Sequence, residues 1–294
     1  MIRYGPNTTA ELQALVDAHD AGWAAEAAQR TTDLIAAGSY SEQASIWGAI
    51  KPVFMALQRE KCIFCERGLG SILTGSGEHD VEHFRPKGRV RAWPYPSRKP
   101  KVSYAFATGT ANATGYYWLA YDIDNYAAAC KSCNSNRKGT YFPVFGTRGS
   151  ATAGIGALNG SEQPALLFPR GPHGDDPNDF ILFKGILAVP RHASGVKHRR
   201  AQVTIDFFSL NVRPELLKDR ARTIREIFFA SEVAANSQVP ALADAARRTI
   251  SEVVWEGAPQ AACARAYVEV INTNKQLAWD YFCEAERMVK TLRT

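Results

Sequence analysis

Apolar residues in the first sixty positions recur every three to four residues, a spacing that predicts helices. Thr8 and Thr9 offer a cap with Glu11 early in the first turn, and Leu12, Leu15 and Val16 follow at helical spacing. An alanine-rich stretch over 21–37 ends at Gly38, a residue suited to closing a helix. A third helix is expected from Ser41 to Arg59, with Ile46, Trp47, Ile50, Phe54 and Leu57 as its apolar stripe and Pro52 as a bend. At residue 60 the pattern changes. Asp80–Phe84 is short and strand-like, Pro86 ends it, and 88–115 mixes Pro, Arg and aromatics as a loop with weak strands. Tyr116–Tyr121 is an apolar run expected to pack, and Asn134 to about Lys138 reads as a short helix. Residues 146–163, rich in Gly, Ala, Ser and Thr, read as a linker or mobile loop. Short strands are expected at Leu166–Pro169, Phe180–Phe183 and Ile186–Val189, and helices from about Gly195 onward, interrupted at Asn236–Pro240 and Gly257–Pro259. The fold class is therefore α+β and mainly helical. Four segments are expected: an N-terminal helical region 1–59, a core 60–145, a linker with short strands 146–195, and a C-terminal helical region 196–294.

Composition changes this picture little, but the cysteines and the charges change it a great deal. The chain has 294 residues, 46% hydrophobic and 22% charged, ordinary for a globular protein with a sizeable core. No apolar run is long enough to span a membrane and Met1–Pro6 has no apolar leader, so a cytoplasmic location is expected. Four of six cysteines form two C-x-x-C pairs, Cys62/Cys65 and Cys130/Cys133, and read as metal ligands. Cys263 and Cys283 lie in helical sequence and read as buried apolar residues. Seven basic residues and no acidic one fall between Arg85 and Lys101 (Arg85, Lys87, Arg89, Arg91, Arg98, Lys99, Lys101). Residues 84–138 carry ten Lys/Arg against Asp122 and Asp124, so positive charge gathers around the cysteine pairs although the whole chain is only +6. A solvated face is the bland reading of such a run; interleaved with Trp93, Tyr95, Tyr104 and Phe106, it points to a polyanion such as nucleic acid.

Four thiolates on two such knuckles suit one tetrahedral, structural zinc. Within the clamp lie Asp80-Val81-Glu82-His83, and Asn134 follows Cys133 directly. Phosphodiester hydrolysis needs a base for water, neutralisation of the non-bridging oxygens and stabilisation of the leaving oxygen. An oriented imidazole, His83, suits the first. Oxygen ligands for Mg²⁺ or Mn²⁺ suit the others, from Glu82, Asp80 and the amide of Asn134. On a strand, Asp80 and Glu82 would share one face while His83 points to the other.

On these residues the chain resembles HNH endonucleases with a ββα-metal core in their four-cysteine, zinc-stapled variety, over about residues 60–145. The resemblance implies His83 as general base, Glu82 as metal-binding acid with Asp80 as a second contributor, and Asn134 as the last metal ligand. Asn125 would be the middle asparagine that pins the loop and helps orient the base. Lys138 would contact phosphate, with Arg85, Lys87, Arg89 and Arg91 as further nucleic-acid contacts. The wide gap between the knuckles is a departure, and it leaves the hairpin's form open. Glu82-His83-Phe84-Arg85-Pro86-Lys87, Glu162–Pro169 and Ser209-Leu210-Asn211 with Arg220 are also similar to the PtuB-like HNH proteins of Septu-type and retron-linked anti-phage systems. That likeness implies a partner ABC/SMC-like ATPase and a defence role. DNA is the favoured substrate and RNA, including tRNA, the alternative. A non-catalytic zinc-stabilised nucleic-acid-binding or adaptor module also remains open.

Overall fold

The computed structural model describes residues 1–41, 44–70, 78–98 and 100–291. It is mainly helical, with two small antiparallel sheets, and its chain divides into two compact units. The N-terminal unit comprises Arg3–Phe64 and Leu69–Asp176; the C-terminal unit comprises Met1–Ile2, Cys65–Gly68 and Pro177–Thr294.

In the N-terminal unit, α1 (Thr9–His19) begins with the expected capping box, the Thr8 hydroxyl accepting from the Glu11 N–H while the Glu11 carboxylate accepts from the Thr8 N–H. Helix α2 (Trp23–Ala37) closes on Gly38 at φ 67°, whose N–H donates back to the Leu34 and Ile35 carbonyls. The third helix is shorter than expected. α3 spans Lys51–Leu57, and Pro52 lies in its first turn, where a missing N–H costs nothing, instead of bending a longer rod. Part of the expected helix, Glu42 and Gln43, lies outside the described residues.

Strands β1 (His79–His83) and β2 (Tyr126–Cys130) pair antiparallel, with His79 opposite Cys130 and His83 opposite Tyr126. After β2 the chain turns into α4 (Lys131–Cys133) and a π-helical turn, Asn134–Lys138. The 88–115 insertion forms a closed loop between the strands. Tyr116 donates to the Pro86 carbonyl at 2.9 Å, and Gly115, at φ 66°, lies so close to Gly88 that a side chain there would overlap its carbonyl. Residues 146–163 are not simply a linker: α5 (Ile155–Glu162) forms there, with Leu158 and Glu162 fully buried. The strand expected at Leu166–Pro169 is absent, and this stretch is buried coil instead.

The C-terminal unit builds helices α6 (Gly195–Phe207), α7 (Pro214–Asn236), α8 (Pro240–Val254), α9 (Ala261–Thr273) and α10 (Lys275–Thr291) with the hairpin β3 (Ile181–Lys184) and β4 (Leu187–Pro190). Buried Arg220 organises it, donating to the carbonyls of Ile186 and Leu210 and to Gln260 Oε1 at 2.8–3.1 Å. Asn211 exchanges two hydrogen bonds with the backbone of Ala188 and so fixes β4.

Candidate functional site

The four knuckle cysteines converge. Cys62, Cys65, Cys130 and Cys133 are buried thiols whose sulfur atoms all lie within 4.8 Å of one another, and none forms a disulfide. A tetrahedral zinc with bonds of about 2.3 Å places its four sulfurs about 3.8 Å apart, inside that limit, so the donor set fits a structural zinc. Gln58 positions the first knuckle. Fully buried, it donates to the carbonyls of Lys61 and Ala128 at 2.8 and 2.7 Å and accepts the Ala128 N–H at 2.8 Å. It thereby ties the cysteine turn to the middle of β2. Nothing in its local sequence marks Gln58 for this task, because its partner lies seventy residues away.

His83 ends β1 with its ring between Trp47 and Tyr126, at centroid distances of 4.7 and 4.8 Å. Its Nε2 lies 3.0 Å from the Ala120 carbonyl oxygen. A carbonyl can only accept, so Nε2 carries the hydrogen and Nδ1 keeps a lone pair. Burial, and then the nearby charge of Lys87, hold the imidazole's pKa well below its ordinary 6.5, so the ring is neutral at neutral pH. The carbonyl that orients it is itself held in place. Tyr126 Oη donates to the same oxygen, and Asn125 fixes the preceding residue by donating to the Leu119 carbonyl at 3.1 Å. Asn125 also makes both hydrogen bonds to the Arg85 backbone, at 2.7 and 3.0 Å, and is buried. Asn125 is expected among the catalytic residues; its contacts make it a residue that pins the loop behind His83.

On the other face of β1, Asp80 Oδ2 lies 3.4 Å from Asn134 Nδ2, and both side chains are half-buried. With the amide turned to present its oxygen, this pair would offer two hard ligands, the kind Mg²⁺ or Mn²⁺ takes. Glu82 is differently engaged. Its Oε1 lies 3.0 Å from Lys138 Nζ, and both side chains are buried. Desolvation raises the Glu82 pKa and lowers that of Lys138, each opposed by the charge of the other. Lys138 also donates to the His83 carbonyl at 3.2 Å.

The expected phosphate contacts divide sharply. Arg85 is buried, bonded to Glu162 at 3.0 Å and Asn159 at 2.8 Å, and stacked over Phe142 at 5.2 Å. Neither Arg85 nor Lys138 reaches solvent here, so the contacts to nucleic acid expected of them are not available to this arrangement. Both cations neutralise buried carboxylates instead. Lys87 is half-buried over the Trp47 ring at 4.2 Å and belongs to the surroundings of His83. Arg89 and Arg91 are exposed, as a nucleic-acid face requires, while Lys99 lies outside the described residues. No described helix is long and apolar enough to cross a membrane. No family model matches this chain, and the curated proteins hold no match to it.

Proposed function

We propose that this chain is a metal-dependent endonuclease of the HNH type, hydrolysing phosphodiester bonds of nucleic acid, with DNA favoured over RNA. The observation that carries the reading is the fixed tautomer of His83, whose Nδ1 lone pair is held ready by the Ala120 carbonyl on its far nitrogen. The reading is supported by two antiparallel strands followed by a short helical segment, with one four-thiol cluster formed by the cysteines before β1 and those at and just after the end of β2, as a ββα-metal core would need.

In this reading His83 Nδ1 takes the proton of the water that attacks phosphorus as the P–O3′ bond breaks. Asp80 and Asn134 would hold a divalent cation, which when bound neutralises phosphate oxygens and the leaving oxygen. Glu82 would join them only by exchanging its Lys138 partner. The Cys62, Cys65, Cys130 and Cys133 zinc would brace the hairpin without touching substrate. By the narrower resemblance, the proposal extends to an anti-phage effector working with an ABC/SMC-like ATPase.

A second reading has its own support. His83 is only 7% exposed, and Glu82 and Lys138 are ion-paired with each other, as in a zinc-braced binding or adaptor module without catalysis. Purified protein incubated with supercoiled DNA, single-stranded DNA or RNA, with Mg²⁺ or Mn²⁺ against chelator, separates the two. The nuclease reading expects metal-dependent cleavage that His83→Ala lowers by about 10²–10⁴-fold, the usual worth of a general base. No cleavage of any substrate with either ion, alone or with a co-expressed ATPase, leaves the module reading standing.

A further inference from the structure

The 88–115 insertion carries a second feature that the hydrolytic site does not use. A groove of about 640 Å³ is lined by Arg89, Arg91, Tyr95, Asn112 and Tyr141, with Val90 and three alanines completing its walls. Its volume is in the range of small-molecule sites, yet it is an open surface groove. No carboxylate lines it, and both arginines are exposed.

Its walls are held by local contacts. Val90 and Asn112 exchange both backbone hydrogen bonds, at 2.7 and 2.9 Å, which joins the two arms of the insertion. Arg91 donates from its backbone to the Thr140 carbonyl at 3.0 Å, and from its guanidinium to Thr140 Oγ1 at 3.2 Å and Tyr141 Oη at 3.3 Å. Tyr95 and Tyr141 stack at 5.0 Å and 18° between planes, with buried Trp93 meeting both rings edge-on at 5.7 and 5.9 Å. Aromatic rings already fixed by one another lose little freedom when a ligand stacks on them. Tyr141 follows the helical turn that bears Asn134 and Lys138, and its N–H donates to the Lys138 carbonyl at 2.9 Å. The groove is thus covalently and hydrogen-bonded to the C-terminal end of the hydrolytic site's own turn.

We propose that this groove binds an unpaired nucleotide of the nucleic-acid strand, its base against the Tyr95–Tyr141 wall and its phosphate against Arg89 and Arg91. Two cations, one of them (Arg91) over the Tyr141 ring at 5.1 Å, and a stacked pair of tyrosines with no acid beside them match a single-strand subsite, where stacking is sequence-tolerant and backbone charge supplies affinity. A paired base would keep its faces covered by its neighbours in the stack. The proposal deepens the nuclease reading and rests on it for the identity of the polymer, but its test does not require cleavage.

The test is fluorescence anisotropy without added divalent ion, using labelled twelve-nucleotide single-stranded DNA, its RNA counterpart and a blunt DNA duplex. Wild type and His83→Ala are expected to bind a single strand more tightly than the duplex. Tyr95→Ala should weaken single-strand binding by about 5- to 100-fold, the range of base–aromatic stacking, and change duplex binding much less. Tyr95→Phe should bind as wild type. Arg91→Gln should lower the slope of log affinity against log salt by about one. The tighter of the DNA and RNA probes identifies the sugar. Far-ultraviolet circular dichroism and thermal melting establish that each variant folds. Equal losses of duplex and single-strand affinity in folded Tyr95→Ala, or wild-type binding by both Tyr95→Ala and Arg91→Gln, overturn the subsite. Absence of cleavage together with intact, Tyr95-dependent binding would instead remove the nuclease reading and leave the subsite.

Discussion

Lys138 Nζ lies 3.0 Å from Glu82 Oε1 with both side chains out of water, and the same ammonium bonds the carbonyl of His83. One cation therefore secures two consecutive residues of β1 from the turn that follows β2. Removing it strands a buried carboxylate. Lys138→Ala is expected to destabilise the protein by about 3–5 kcal/mol, measured by urea unfolding, the usual cost of breaking a buried pair. Glu82→Gln with Lys138→Met should recover much of that loss, because neither residue then needs a charged partner. An unchanged unfolding midpoint for Lys138→Ala would mean that the pair is not formed in solution.

Asp80 and Asn134 face each other at 3.4 Å with partial access to solvent, so they can be altered at small cost to folding. Asp80→Asn and Asn134→Ala are each expected to raise the Mn²⁺ concentration for half-maximal cleavage at least about tenfold, as loss of an oxygen ligand would. Cleavage rates measured across a Mn²⁺ titration check this. The same half-saturation in both variants would move the cation elsewhere.

Convergence of four buried thiols predicts about one zinc per folded chain by elemental analysis. Cys133→Ser, or a strong chelator, should lower the melting temperature sharply and not merely slow turnover, because metal binding and folding are coupled. Well-folded protein without zinc would remove the bracing role.

Burial, followed by its hydrogen bond to Glu162, raises the pKa of the Tyr116 hydroxyl above its ordinary value of 10. In the unfolded chain this phenol loses its proton near pH 10, while in the fold it stays protonated to higher pH. The unfolded state therefore binds fewer protons in that window, and stability falls as pH rises above about 10. Tyr116→Phe should show a shallower alkaline fall in melting temperature than the parent, whatever its melting temperature at neutral pH. Identical alkaline slopes would place the Tyr116 proton elsewhere.

Local signals in the sequence settled much of the outline. The Thr8/Glu11 box, the Gly38 stop and the short strand ending at His83 follow from caps, punctuation and residue pattern that act within a few residues, whereas its partner strand β2 carried no such signal. Cysteine spacing likewise announced a four-thiol cluster, since a C-x-x-C turn brings two sulfurs to one side of the chain. The shortened α3 shows where a local rule had two meanings. Pro52 is equally compatible with bending a helix and with beginning one, and tertiary packing of Val53, Phe54 and Met55 selected the second.

Charge was the least legible feature. The sequence counts Arg85, Arg89 and Arg91 as equals, and only the fold separates them. Arg85 turns inward because Glu162, seventy-seven residues away on α5, is buried and needs a cation, whereas Arg89 and Arg91 find no acid lining their groove. The same holds for the imidazole. Sequence named His83, but the Ala120 carbonyl that fixes its tautomer and the Gln58 amide that joins knuckle to strand act through space between distant segments. The sequence by itself determined which chemical groups are present and which short elements carry them. Tertiary structure alone decided which charges are spent inside the protein and which remain for a ligand, because burial makes an unpaired charge too costly to keep.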